Sequence, residues 1–338
     1  MQTLFNNPLF IPLAVTIAVI AIFPLMAGYI VLIERKVLAD FQVRLGPMRV
    51  GPHGLLQPLA DALKLLLKED IIPTDADKAI FWFAPIISTF TALSAFSVLP
   101  LSNWLYVADV NVGILVILAM SSVGILGIIL GGWSSNSHYP LLGALRSAAQ
   151  LVSYEVALSF ALLSGLMVAG TLSMQGIIKA QQERHVWFVF ENYGFMIVPF
   201  VVYIIAATAE TNRAPFDLPE AESELVAGFH TEYSGFRWAL YFLAEYANIF
   251  VVSSVAVTLF WGGWLRPFPN VAVLGFLDVI PSWTWFLIKS FFFLYFFIWI
   301  RATLPRYRYD QLMRLGWKVL IPLAIANLVV TGILKVLL

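Results

Sequence analysis

Glu155, Glu245 and Lys289 stand well inside long apolar runs of this sequence. A charged side chain at the centre of a membrane-spanning helix costs ~3 kcal/mol on insertion scales, so such residues face the protein interior and mark an ion or proton path. The plainer alternative is a buried ion pair, Glu245 with Lys289. A second group follows one apolar run directly: Glu210-Thr-Asn-Arg213-Ala-Pro-Phe216-Asp217-Leu-Pro-Glu220-Ala-Glu222-Ser-Glu224, continuing to His230 and Glu232. Six carboxylates face one arginine there. Crowded like charges raise carboxyl pKa values and make protonation cooperative. A solvated acidic face is the plain alternative, but Pro, Phe, Leu and Val between the acids indicate partial burial. The chain has no cysteine, which excludes disulfides, thiolate zinc sites, Cys-ligated iron–sulfur clusters and a cysteine nucleophile. His53, His138, His185 and His230 all lie outside the apolar runs. There is no Gly-rich phosphate cradle and no nucleophile elbow. No metal site, no bound cofactor and no catalytic set complete in this chain alone is expected, and proton handling is the chemistry these residues support.

A third polar pattern lies earlier. Gln57, Asp61, Lys64 and Lys68 recur at spacings of four, three and four in an otherwise apolar segment, 53–68, which is one stripe on a helix. Pro58 suits its first turn. At ~16 residues it is short for a span, so it reads as an amphipathic helix in the interface plane. The plain role is a surface anchor with an Asp61–Lys64 pair, and the sharper one is a gate through which a lipid-soluble molecule passes. The preceding 45–54 stretch, rich in Gly and Pro, is an irregular ordered turn.

The elements that carry these residues follow from composition. Of 338 residues, 60% are hydrophobic and only 12% charged, against about 45–50% and about 25% in soluble domains. The chain is all-α, a polytopic membrane protein. Apolar runs long enough to span lie near 10–33, 80–101, 112–131, 148–170, 188–209, 239–262, 283–301 and 316–337, about eight in number. Pro24, Pro85, Pro199 and Pro322 within or beside them are tolerated in membrane helices. Fifteen Lys and Arg fall on the side of loops 34–79 and 210–238, and only Lys179, Arg184, Arg266 and Lys335 on the other. By the positive-inside rule both long loops are cytoplasmic and both termini outside, with residues 1–338 forming one membrane domain. The start lacks a basic n-region and reads as a retained span. Twenty acids cancel twenty bases, so nothing marks a nucleic-acid binder.

Three stretches then carry a specific resemblance. Glu34-Arg35-Lys36 with Arg44 to Gly54 and Leu56 to Lys64, the run Ala209 to Gly235, and Leu304 to Met313 resemble the signature loops of the heel subunit of NADH-quinone oxidoreductase, respiratory complex I. The resemblance covers nearly the whole chain and implies a fold of eight spans. It implies that Arg35, Asp61, Ala62 and Lys64 border a quinone opening. Arg213 and Phe216 would belong to a chamber wall against peripheral subunits, with Glu210, Glu220, Glu222 and Glu224 lining an acidic funnel beneath it. Glu155 and Glu245 would continue a proton path toward neighbouring membrane subunits, with Glu34 linked to it; Tyr154 and Arg146 are further candidates. Quinone would be the substrate, while FMN and iron–sulfur clusters would reside in partner subunits, and the location would be the bacterial inner (plasma) membrane. One departure stands out: the third span, 112–131, holds no acid. A homologous subunit of a membrane-bound hydrogenase or other donor complex would share these loops. A stand-alone transporter would instead show inverted repeats and paired broken helices, which are not evident.

Overall fold

The computed structural model describes residues 10–218, 226–268 and 272–337. Eleven helices carry them: α1 (Phe10–Phe41), α2 (Gln57–Leu67), α3 (Lys78–Ser97), α4 (Gly113–Ser134), α5 (His138–Ala169), α6 (Met174–Arg184), α7 (Ile197–Glu210), α8 (Gly235–Phe260), α9 (Ser282–Thr303), α10 (Tyr309–Leu315) and α11 (Ile321–Leu337). A π turn, Gly316–Leu320, joins the last two into one apolar rod. Seven rods are long and apolar enough to cross a membrane, and α7 is a shorter eighth. The fold is therefore the expected all-helical polytopic one. The difference lies at 188–209. At 14 residues, α7 is ~21 Å long, short of the ~30 Å hydrocarbon core. Two 3₁₀ turns, Phe188–Phe190 and Asn192–Gly194, occupy the rest of that run. Asn192 (φ 51°) and Gly194 (φ 84°) are left-handed there, which no continuous α-helix accommodates.

Local chemistry sets the ends. Asp77 caps α3, accepting from the Ala79 amide at 3.2 Å. Gly170, left-handed at φ 73°, terminates α5 with its amide on the Leu166 carbonyl at 2.8 Å. The two faces of the bundle are distinct. At one end Ser102 meets Ser282 at 2.7 Å, and Lys335 donates to the Met167 carbonyl. At the other, the Ile71 amide donates to Ser234 at 3.0 Å and the Tyr307 amide to the Pro215 carbonyl at 3.1 Å. The two long loops thus share the second end.

Small residues let the rods close. A side chain on Gly127 would sit 2.3 Å from Ser88 Oγ, so α4 packs directly on α3. A Cβ on Gly143 of α5 would lie 2.7 Å from the Gly228 backbone, which presses the second long loop onto the bundle. Beneath that loop sits a small core of its own, Phe81, Ala84, Ala144, Phe229, Tyr233 and Tyr241, with Phe81 and Tyr233 stacked at 4.0 Å. The outward faces carry Leu115, Leu126, Phe292 and Val329 exposed, as a lipid-facing surface requires.

Candidate functional site

Adjacent residues on α1 point about 100° apart, as i and i+1 on a helix do. Glu34 turns inward and is buried; Arg35 turns outward. Arg213 meets Glu34 with Nη1 at 2.6 Å from Oε1, and its other fork lies 2.9 Å from Glu245 Oε1 on α8. Arg301 of α9 also contacts Glu34, and the Arg213 guanidinium lies 4.5 Å from the Tyr246 ring centroid. Two cations and two carboxylates from α1, α8, α9 and the loop after α7 therefore form one buried network. Arg213 reaches it because α7 stops at Glu210, and Asn212, left-handed at φ 50°, turns the chain. Gln150 of α5 pins that turn, donating to the Ala209 carbonyl at 2.9 Å and the Phe216 carbonyl at 2.8 Å. Burial alone would lower the Arg213 pKa, but Glu245, Tyr246 and Glu34 outweigh it and hold the guanidinium well above its ordinary value.

Beside this network lies a cavity of about 300 Å³ between α3, α4, α7 and α8. Its polar lining includes Ser121, Glu210, Asn212, His230, Glu245 and Arg301, so Glu245 and Arg301 belong to network and cavity alike. Glu210 accepts from Ser121 and Glu155 of α5 accepts from Ser122. Consecutive serines of α4 thus hold two carboxylates, one in the cavity and one half-buried at the outer surface. The acid-free third span thus contributes hydroxyls to both carboxylates. Burial raises the Asp217 carboxyl in the loop, although Arg306 lies 3.0 Å away. Burial likewise lowers the His230 imidazole, with Glu245 and Asp217 opposing it.

On the outward side of α1, Arg35 Nη1 donates to Asp61 Oδ2 at 2.7 Å and Gln57 Nε2 to Oδ1 at 2.9 Å. Asp61 thereby joins α2 to α1 through Arg35, in place of the simple Asp61–Lys64 pair. Ala62 and Lys64 are exposed on the same helix. Leu59, Leu63 and Leu67 are exposed as well, and no residue of α2 is buried, as suits a helix lying in the acyl boundary.

Other sequence expectations resolve differently. Glu245 does not pair with Lys289. The Lys289 ammonium donates instead to the carbonyls of Trp261 (2.7 Å), Gly263 (3.1 Å) and Leu265 (2.6 Å), capping the far end of α8. Phe216 is buried against Tyr154 (5.5 Å) and Tyr307 (5.8 Å), and is not among the cavity-lining residues. Tyr154 donates to the Leu312 carbonyl at 2.9 Å; Arg146 lies within α5. Glu220, Glu222 and Glu224 lie outside the described residues. Sequence reasoning overlooked Ser121, Ser122, Gln150, Tyr246 and Arg301 as site residues, and gave His230 no role. The paired serines inside an apolar run were the one local signal available.

The comparisons with known proteins agree with one another. Residues 13–332 match the NADH dehydrogenase family. A protein of Solibacter usitatus, named as a subunit of NADH-quinone oxidoreductase, is 65% identical, the alignment covering 100% of this chain and 99% of that protein. The NADH-quinone oxidoreductase subunit of the same designation in Rickettsia prowazekii is 52% identical over 94% of this chain and 91% of its own. Its namesake in Koribacter versatilis is 47% identical, over 96% and 92% respectively.

Proposed function

This chain belongs to the NADH dehydrogenase family, and from that premise we propose that it is the membrane subunit that walls the quinone chamber of NADH-quinone oxidoreductase and couples quinone reduction to proton movement. It brings no redox centre. FMN and iron–sulfur clusters belong to partner subunits, and quinone is the substrate of the assembly. The names of the relatives favour NADH over a hydrogenase donor. The protein sits in the bacterial inner membrane as one domain, with the long loops cytoplasmic and both termini outside. Arg35, Asp61, Ala62 and Lys64 form the rim past which the quinone head leaves the acyl region. Arg213 and Phe216 belong to the loop that forms the chamber against the peripheral subunits. Glu210, Glu220, Glu222 and Glu224 are the acids of the funnel beneath that chamber.

The observation that carries this reading is the run of carboxylates from inside to outside. Glu34 and Glu245 share Arg213, Glu245 and Glu210 share the cavity, and Ser121 and Ser122 stand between Glu210 and Glu155. A half-buried carboxylate on an outer face at membrane depth suits contact with a neighbouring membrane subunit rather than lipid. A charge change on quinone would shift the shared protons of such coupled acids. Glu155→Gln keeps the shape and removes the proton site. In the assembled complex it should leave NADH oxidation by a soluble acceptor intact while quinone-linked turnover and proton pumping fall together. Normal turnover at the normal pumping ratio would make Glu155 structural and defeat the proposal.

A further inference from the structure

Among the described residues, His230 is the one histidine that lines the cavity, and neither the carboxylate series nor the rim uses it. We infer that His230 is a proton-exchanging group of this cavity, serving the carboxylates Glu245 and Glu210 of its lining and the loop carboxylate Asp217. The inference rests on the coupling role proposed above and adds to it a residue of different chemistry.

The placement is built rather than incidental. His230 closes the 3₁₀ turn Gly228–His230, and that turn can reach α5 only because Gly143 and Gly228 both lack side chains at their contact. One flank of the imidazole is apolar: Phe229 meets it edge-on at 4.9 Å, and Trp238 lies at 6.4 Å. Another is the cavity, whose remaining titratable lining is Tyr203 and Glu210 from α7, Tyr241, Glu245 and Tyr246 from α8, and Arg301 from α9. Neither α4 nor α5 contributes a titratable side chain to that lining, and Asp217 of the preceding loop is near enough for its charge to act on the imidazole. Burial keeps the ring neutral at neutral pH against the pull of Glu245 and Asp217. A neutral imidazole has one N–H and one lone pair, so it binds a proton at one nitrogen and releases one from the other. The ring starts and ends neutral, in opposite tautomers, and no net charge is left in the cavity.

The test uses the assembled complex in inverted membrane vesicles. His230→Ala should lower quinone-linked NADH oxidation and proton uptake by ~10²-fold, the low end of what a positioned acid–base group supplies. NADH oxidation by ferricyanide should be unchanged. Imidazole in the buffer should restore quinone-linked turnover, with substituted imidazoles restoring it in order of their pKa. His230→Gln, of similar size but unable to titrate, should show the same loss. Parental turnover and an unshifted pH profile in either assembled variant would overturn the inference. So would activity retained by Gln and lost with Ala, since that pattern is packing. Glu210→Gln and Glu245→Gln run in parallel: if they lose coupling while the His230 variants keep it, His230 alone is misassigned. If all keep it, the coupling role of the cavity falls.

Discussion

Removing Arg213 tests whether the buried network holds together the end of the bundle that carries the two long loops. Arg213→Met keeps much of the side-chain volume and deletes the charge. Glu34, 3% exposed, would keep Arg301, itself 35% exposed, and the Tyr246 hydroxyl, and Glu245, 21% exposed, would lose the Arg213 fork. Breaking a buried pair by removing one partner costs ~3–5 kcal/mol. Glu245 opens onto the cavity and Arg301 remains beside Glu34, so the lower end applies here. About 3 kcal/mol corresponds to roughly a 10²-fold shift away from the correctly packed state. The readout is the fraction of chain recovered in the assembled complex, with the thermal half-life of what is recovered. Arg213→Lys should be intermediate, because an ammonium cannot fork to two carboxylates on different helices. Arg213→Met with Glu245→Gln should recover part of the loss, because the residues are coupled through one contact. If the Met variant assembled with parental stability, or the double variant lost the simple sum of the two, Arg213 would not be holding α1 and α8 through these carboxylates.

The rim, the loop and the topology give further tests. Ala62→Phe places a ring on the exposed face of α2 beside the Arg35–Asp61 pair; it should raise the apparent KM for long-tailed quinone several-fold while ferricyanide reduction stays normal. Gly143→Val drives a side chain into the Gly228 backbone; overpacking of ~1–3 kcal/mol should displace the turn carrying His230, seen as faster amide exchange over 226–234. The lowered His230 pKa means its folded-state contribution is present above the ordinary histidine value of about 6.5 and is lost as pH falls through the depressed value. Intrinsic-rate-corrected exchange of the same segment should therefore rise on acidification, and His230→Gln should abolish that rise. Single cysteines at Lys179 and Arg44 should label from opposite sides of the membrane, Lys179 from outside intact cells; labelling of both from one side would refute the orientation.

What could be read from the sequence was whatever lipid and local backbone rules impose. Apolar run length set the spans, because lipid satisfies no backbone polar group. The spacing of Gln57, Asp61 and Lys64 identified the interfacial helix, and Gly and Pro at 46–54 the irregular turn before it. The acids of the spans and the second loop were visible as chemistry because charge in an apolar run is costly. Their partners were not visible. Arg213 lies 179 residues from Glu34, and only the rotation of α1 against α8 and α9 decides which carboxylate it meets. The same rotations sent Lys289 to three backbone carbonyls instead of Glu245, buried Phe216 behind Tyr154, and set Ser121 and Ser122 under Glu210 and Glu155. The shortening of 188–209 came from left-handed Asn192 and Gly194, whose torsion angles an apolar count does not register. Local sequence determined which segments enter the membrane and which residues carry charge there. The tertiary packing alone decided which of those charges share a site, because helix faces meet by side-chain fit among elements far apart in the chain.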